Sequence, residues 1–238
     1  MSPYGRLVTL AALLLAATLV GCGGGGEEKP DASSIDNEDL AAMALTKADL
    51  DPEFADFQES AAPDTNEERI QTASDPEDER KDQETFGRIG GYDRQLVAPN
   101  TTIQAGATLI VQIGVTLFAD NDGASGDLHD AVGDIQARVG RTDLKPLLEA
   151  ADEFSVPRLG DESLGLRTRA SVTSEQGGPG TLYVTYFWFR RDRIIGDVAI
   201  ARGDDADVSQ QAQTIASLLD ERIRNVLSGQ APPPTGTP

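Results

Sequence analysis

The chain has very little of what metal sites and hydrolytic active sites are built from: its 238 residues include one cysteine, Cys22, and one histidine, His129. A single cysteine excludes a disulfide within the chain and leaves cysteine–histidine zinc sites and Cys-His pairs without enough side chains. A Ser-His-Asp triad would have to use His129. This residue follows Leu128 on a predicted helix and lies off its apolar stripe, so a solvated histidine is the simpler interpretation. We therefore predict no enzymatic activity, no metal and no cofactor.

Basic residues are also scarce, since 20 lysines and arginines stand against 40 acids, a formal net charge of −20. The excess is concentrated in residues 27–85, where 20 acids stand against 5 bases, while residues 86–238 hold 20 acids and 14 bases. Nucleic acids and anionic lipid headgroups attract proteins through basic counter-charge. The composition therefore excludes nucleic acid as a partner.

Acidic motifs are frequent in so acidic a chain, and we interpret them as turns. Residues 120–123, Asp-Asn-Asp-Gly, begin like a calcium loop, but neither possible alignment places an acidic residue at the twelfth position. The neighbours in the pairs Asp161-Glu162 and Asp204-Asp205 would point to opposite faces of a strand, so neither pair converges. A hydrolase that uses carboxylates alone is the remaining enzymatic alternative.

The N-terminus carries an export pattern. Arg6 precedes an apolar run from Leu7 to Val20, and these 14 residues fall short of the roughly 20 that span a bilayer as a helix. The tetrad Leu-Val-Gly-Cys that ends at Cys22 resembles the lipobox of bacterial lipoproteins. This resemblance implies cleavage before Cys22 and a lipid anchor, palmitate included, on the extracytoplasmic face of the cell membrane. An ordinary signal peptide or a short membrane anchor is the alternative.

Composition divides the chain into five segments. Glycine, proline and charged residues dominate the linker and the tail, which hold too little apolar surface to offset the entropy of ordering. Residues 58–85 are expected at the surface or partly disordered. We predict a cleaved signal peptide at 1–21, a lipid-anchored flexible linker at 22–37, an acidic, partly helical N-terminal region at 38–85, an α+β globular domain at 86–229 and a proline-rich disordered tail at 230–238.

The apolar pattern favours an antiparallel β-sheet packed with helices, an α/β sandwich of the α+β class. Residues 182–189 are apolar or aromatic on both faces except at Thr185, so we expect this strand at the centre of the sheet, covered on both sides. Leu144, Leu147 and Leu148 indicate a short helix. Strands are predicted at 92–97, 108–118, 164–173, 182–189 and 194–201, and longer helices along 128–139 and 207–227.

Three stretches of the mature chain carry a family resemblance: residues 44–54, 156–163 and 187–195. With the lipobox and the acidic tether, they resemble uncharacterised surface lipoproteins of actinobacteria. More loosely, the chain is similar to the extracellular sensor domains of actinobacterial Ser/Thr kinases and to PsbP-like lipoproteins. The resemblance covers about residues 40–228, implies an α/β sandwich with an antiparallel sheet, and carries over no catalytic residue.

Guanidinium groups and two aromatic rings are the candidate contacts for a ligand or partner. The guanidinium groups suit an anionic ligand or an acidic partner, and the alternative is a solvated strand face paired with local acids. Tyr186 and Trp188 either wall a ligand site or fill the core. The arginines are Arg167 and Arg169 on one strand face, and Arg190, Arg191 and Arg193 in the next hairpin turn.

Together these features predict a lipid-anchored cell-surface protein that acts as a non-catalytic binding module or sensor. Its predicted partners are the membrane, through the N-terminal lipid, and a ligand or envelope protein. The alternative is a structural or assembly protein of the cell envelope. An apolar pocket with a few polar groups favours binding, a filled core favours the structural alternative, and two convergent carboxylates favour an enzyme.

Overall fold

A computed structural model describes residues 35–73, 75–99, 108–173 and 179–230. The predicted signal peptide, Cys22 and the predicted tail from residue 231 onward lie outside these ranges. The strands are β1 (Gln58–Asp64), β2 (Arg88–Val97), β3 (Thr108–Phe118), β4 (Leu147–Glu153), β5 (Glu162–Thr173), β6 (Pro179–Arg191) and β7 (Ile194–Arg202). The helices are α1 (Asn37–Met43), α2 (Asn66–Thr72), α3 (Pro76–Phe86), α4 (Asn121–Ala137) and α5 (Ser209–Leu227).

The strands form one seven-stranded sheet in the order β1-β2-β3-β7-β6-β5-β4, and every neighbouring pair is antiparallel. The apolar stripe of α4 packs with the even-numbered residues of β6 on one face. The other face is covered by α5 and α1, which pack with odd-numbered residues of β6. The predicted α/β sandwich of the α+β class is thus confirmed, with its two main helices on opposite faces.

The strand at residues 182–189 was expected at the centre of the sheet, and this detail is wrong. Its strand, β6, is an inner strand, but the middle position belongs to β7. Both strands bury apolar side chains on both faces. Two-sided burial identifies an inner strand and does not order the inner strands among themselves, because each of them meets a helix layer on either side.

The short helix expected around Leu144, Leu147 and Leu148 is also wrong, because residues 147–153 form the edge strand β4. Leu148 is buried and Glu149 is exposed, as the two-residue period of a strand requires. Three leucines are too few to fix a period of 3.6, and pairing with β5 decides the outcome.

The acidic N-terminal region joins the same fold. The described residues of 58–85 form the edge strand β1, the helix α2 and most of the helix α3, where we expected a stretch that lies on the surface or is partly disordered. The exposure of β1 agrees with the first of these alternatives. Leu40, Met43 and Phe54, which precede β1, are buried in the core beneath α5. The polar sequence of 58–85 hid these elements because β1 is exposed along most of its length and α3 buries mostly polar side chains.

Helix α4 begins at the motif that resembled a calcium loop. Asp120 is the N-cap, and its carboxylate accepts a 2.7 Å hydrogen bond from the backbone N–H of Gly123, an arrangement that satisfies a free donor of the first turn. Gly123 also lets the helix approach α3, since a Cβ there would lie 2.0 Å from the carbonyl oxygen of Phe86. No helix among the described residues is long and apolar enough to cross a membrane.

Two glycines of α4 should respond to alanine in opposite directions. Gly123→Ala should lower the free energy of unfolding by about 1–3 kcal/mol, because the new methyl group overlaps the Phe86 backbone. Gly133→Ala should raise it by about 1 kcal/mol, because nothing lies within 4 Å of its Cβ position and alanine has the higher helix propensity. Urea denaturation of both variants measures this. Equal effects of the two substitutions would contradict the packing of α4 on α3.

Candidate functional site

Two aspartates face each other across a glycine in the inner part of the sheet. Asp93 of β2 pairs with Gly114 of β3, and Gly114 pairs with Asp197 of β7. Residues that pair directly across neighbouring strands project their side chains to the same face. The two carboxyl groups are therefore neighbours in space although 104 positions separate them along the chain.

The two carboxyl groups occupy the space that a side chain at position 114 would fill. A Cβ on Gly114 would lie 2.1 Å from Asp197 Oδ1 and 2.9 Å from Asp93 Oδ1. The two oxygens are therefore separated by no more than about 5 Å, the sum of these distances. Any side chain at position 114 would displace the pair, so the glycine is required for the site.

The pair lies on the face that α4 covers. Asp197 alternates with Ile195 and Ala199, and both of these belong to the core under α4. Asp127 of α4 interacts electrostatically with Asp197. Asp93 and Asp197 are both half-buried, so they are largely removed from water.

Two arginines stand beside the pair but are engaged elsewhere. The Arg88 guanidinium bonds to the Asp64 carboxylate at 2.5 Å, and Arg69 Nη1 lies 3.3 Å from the same carboxylate. Arg69 Nε also lies 3.1 Å from Glu79. Arg88 itself rests over Gly91, where its Nη2 atom is 3.0 Å from the Cβ position.

The local charge is therefore unbalanced. Two arginines, Arg69 and Arg88, stand among five acids, and they form ion pairs with only two of them, Asp64 and Glu79. Among the described residues the other three acids, Asp93, Asp127 and Asp197, form no ion pair within 4.0 Å. Ionising all five acids would leave three uncompensated negative charges in a partly desolvated space. Carboxyl groups in that situation hold their protons more tightly.

Burial and this excess of negative charge raise the pKa values of Asp93, Asp197 and Asp127. Burial, with the like charges of Asp64 and Asp197, raises the pKa of Asp93 to about 8. Burial and the charge of Asp64 raise the pKa of Asp197 to about 7, and burial raises the pKa of Asp127 to about 6. Near neutral pH the Asp93–Asp197 pair therefore carries a proton, and it titrates as a coupled unit.

This arrangement differs from a metal site. Among the described residues no group of three histidine, cysteine or acidic side chains is placed so that it could hold a metal ion. A carboxyl group that keeps its proton donates a hydrogen bond, whereas binding to a metal requires the deprotonated carboxylate. The chemistry available to the pair is the uptake and release of protons, and hydrogen bonding to a bound group.

His129 lies beside a serine, but the geometry is not that of a triad. The Ser125 hydroxyl donates to both carboxylate oxygens of Glu162, at 3.0 and 2.9 Å, and His129 Nε2 is 3.8 Å from Glu162 Oε2. In a triad the serine would bond to the histidine instead. Although burial opposes the shift, hydrogen bonds from Arg190 and Ser125 lower the pKa of Glu162, which makes it a weaker base.

The five arginines predicted as contacts fall into two groups. Arg167 and Arg169 lie on the α5 face of β5, where Arg167 pairs with Thr185. The other three lie in and beside the β6–β7 hairpin, where Arg190 pairs with Glu162. Residues 185 and 190 are five positions apart along β6, roughly 17 Å at the rise of a strand. The structure thus separates these side chains into one group at the middle of β5 and one group at the β6–β7 hairpin.

Several of these guanidinium groups have acidic partners within the chain. Arg169 Nε lies 2.9 Å from Glu149, and Arg191 binds both oxygens of Asp220 at 2.7 and 2.9 Å. Arg190 lies 3.4 Å from Asp161 and 3.4 Å from Glu162. Arg167 donates to the backbone carbonyl of Asp205 and lies over the ring of Tyr183. The backbone carbonyl of Arg193 accepts a hydrogen bond from Phe118.

Tyr186 and Trp188 are stacked side by side on β6, with ring centroids 4.9 Å apart and ring planes at 4°. Their exposed fractions are 2% and 5%, and both belong to the core under α4. Contact between either ring and a ligand would require α4 to move. Their use by a ligand, like that of the arginines, stays a prediction.

The strand order and the two helix layers define an α/β sandwich, and one of the comparisons with known proteins agrees with this fold. No family model and no curated protein matches the chain. Among solved structures, it is similar to the extracellular domain of PknH, a Ser/Thr kinase of Mycobacterium tuberculosis. The two are 11% identical, with a TM-score of 0.53, over 80% of this chain and 97% of that one. The likeness confirms the fold that the kinase resemblance implied.

The aspartate pair was missed in the sequence, although a signal was present. Asp197 interrupts the apolar run of residues 194–201, and Gly114 is the one glycine in β3. A charged residue inside a two-sided apolar strand indicates a partner or a function. The pairing of Asp93 with Gly114 depends on strand register, which residues so far apart in the chain do not reveal.

The raised pKa of Asp93 predicts a specific dependence of stability on pH. The folded state holds this proton up to about pH 8, whereas the unfolded chain releases it near its ordinary pKa of 3.8. The contribution of Asp93 to the free energy of unfolding is therefore greatest below about pH 4. It falls as the pH rises to about 8, by at most about 1.4 kcal/mol per pH unit. Asp93→Asn removes this titrating group. The free energy of unfolding of the variant, relative to that of the wild type, should therefore increase as the pH rises across this range.

Asp152→Asn is the matched control, since it removes one carboxylate from an exposed strand position. Urea denaturation between about pH 4 and pH 8 should show a constant offset for this control. A constant offset for Asp93→Asn as well would refute the raised pKa.

Proposed function

We propose that this chain is a lipid-anchored, extracytoplasmic binding and sensing module without catalysis. Acyl chains on Cys22 hold it at the membrane, and the Asp93–Asp197 pair forms part of its sensing element. The anchor rests on the lipobox sequence that ends at Cys22 and on the preceding apolar run. The similarity to a domain described as extracellular supports the proposed extracytoplasmic location.

The observation that carries the sensing role is the Asp93–Asp197 pair itself. Partial burial of carboxyl groups without cationic partners costs stability, and an amide or an apolar pair would remove that cost. Groups with strongly shifted pKa values concentrate at functional sites. A protein that served only as a spacer would gain from losing the pair, so its presence favours a role in recognition or sensing over the structural alternative.

A hydrolase that uses carboxylates alone is the second candidate, because two carboxyl groups converge over Gly114. Such catalysis needs one group ionised while the other is protonated, together with groups that orient a substrate. With pKa values of about 8 and about 7 the pair can hold one proton near neutral pH, but the adjacent Arg88 and Arg69 already bind Asp64 and Glu79. The binding role is favoured because both arginines are held in ion pairs within the chain rather than directed at a substrate.

Three variants compared in native membranes test the proposal. Cys22→Ala should abolish labelling with an alkyne-tagged palmitate and remove the protein from the membrane fraction, because the acylated sulfur is gone. The double variant Asp93→Asn/Asp197→Asn should stay labelled but lose the partner or metabolite that affinity capture recovers with the wild type. Asp152→Asn should behave as the wild type in both respects.

Two results would contradict the proposal separately. Unchanged palmitate labelling of Cys22→Ala would refute the anchor. Recovery of the same partners and metabolites with the wild type and the double variant would remove the carboxyl pair from the sensing element. Cleavage of glycoside or ester substrates by the wild type, abolished in the double variant, would establish the hydrolase instead.

A further inference from the structure

The Asp93–Asp197 pair adjoins a corner of the fold that two arginines help to hold to the sheet, alongside the packing of Phe86 of α3 in the core under α4. This corner, formed by β1, α2 and α3, meets the sheet at β2, where β1 pairs as an edge strand. Most of β1 is exposed, so backbone pairing on one side and the arginine contacts carry much of its attachment. Edge elements with few apolar contacts open more readily than the core.

Arg88 is the centre of that attachment. Its Nη2 atom bonds to Asp64 at the end of β1, through the carboxylate at 2.5 Å and the backbone carbonyl at 3.0 Å. Asn66 at the start of α2 donates to the Arg88 carbonyl at 2.8 Å, and its side-chain oxygen accepts from Arg88 Nη1. Arg69 extends the network to Glu79 of α3. One guanidinium group thus joins β2 to β1 and α2.

Arg88 also retains an unused donor. Only 7% of the residue is exposed, and its Nε atom has no hydrogen-bond partner among the described residues. The guanidinium rests over Gly91, and Gly91 and Asp93 lie two positions apart on the same face of β2. A buried unpaired donor is costly, and it stands beside the carboxyl group whose charge depends on a proton.

We propose that the Asp93–Asp197 pair is a proton-operated switch that controls how tightly the corner of β1, α2 and α3 is held to the sheet. While the pair holds its proton, Arg88 and Arg69 remain with Asp64 and Glu79 and the corner is closed. When the proton passes to water, the new negative charge draws Arg88 toward Asp93. The bond between Arg88 and Asp64 weakens, and the corner opens more often.

Charged groups from every neighbouring element act on the pair. The arginines oppose protonation, while the acids favour it, and the acids outnumber them. The direction of both pKa shifts is upward, to about 8 and about 7, so the release of the proton falls near neutral pH. The groups that act on the pair directly are Asp64 on β1, Arg88 on β2, Arg69 on α2 and Asp127 on α4. Glu79 on α3 and Asp130 on α4 face the same region and act on Asp127.

This inference rests on the proposed function in one respect: it names protons outside the cell as the stimulus that a sensing module would register. The physical switch itself requires neither the anchor nor a partner. Loss of the anchor or of captured partners would therefore leave the switch intact, and failure of the switch would leave the anchor and the partners intact.

Hydrogen–deuterium exchange of the purified full-length protein tests the switch. Protection of residues 58–72, corrected for the intrinsic pH dependence of exchange, should fall at least about tenfold between pH 5.5 and pH 8.5, because ionisation of the pair loosens the corner. Protection of β7 at residues 194–202 should stay constant. Asp93→Asn should keep the corner protected at both pH values, and Asp152→Asn should show the wild-type step.

Asp197→Asn provides a second variant in case Asp93→Asn does not fold, and it should reduce the step because one member of the pair no longer ionises. The proposal is overturned if the wild-type corner shows the same corrected protection at both pH values. It is equally overturned if a folded Asp93→Asn or Asp197→Asn variant keeps the full step.

Discussion

The absent side chain of Gly114 is the constraint on which the polar half of this structure depends. It leaves room for two carboxyl groups from β2 and β7, the strands on either side of β3, in a sheet that is otherwise apolar at this level. Because α4 covers this face, the carboxyl groups cannot be fully hydrated, and because they face each other, they cannot both ionise at low cost. The raised pKa values of Asp93 and Asp197 follow from that geometry.

The salt bridges of Arg88 and Arg69 lie beside the carboxyl pair that Gly114 makes possible. Arg88 and Arg69 satisfy Asp64 and Glu79, which lie on the edge strand and on α3. The arginines therefore stabilise the attachment of a thin corner while leaving the inner pair without a counter-ion. A well-packed core beneath α5 and a second one beneath α4 offset the cost of the polar centre. The apolar cores that stabilise the fold and the carboxyl pair that takes up and releases protons thus lie in different parts of one sheet.

The sequence reveals the sandwich but not the site, for a physical reason. Strands such as 108–118 and helices such as 209–227 are specified by local periodicity, which one segment displays by itself. The residues around Asp93 converge only through strand register. The polar helices show no apolar stripe, because α2 buries no side chain and α3 buries mostly polar ones. Asp197 was visible as a charge in an apolar run, but its partner was not.

The most direct measurement of the central claim is a carbon-13 NMR titration of the aspartate side-chain carboxyl groups, assigned through Asp93→Asn and Asp197→Asn. The account predicts that at least one of the two titrates above about pH 6 and that the two signals shift together, since they belong to one coupled pair. Independent titration of both groups near pH 4, the range of an ordinary aspartate, would contradict it.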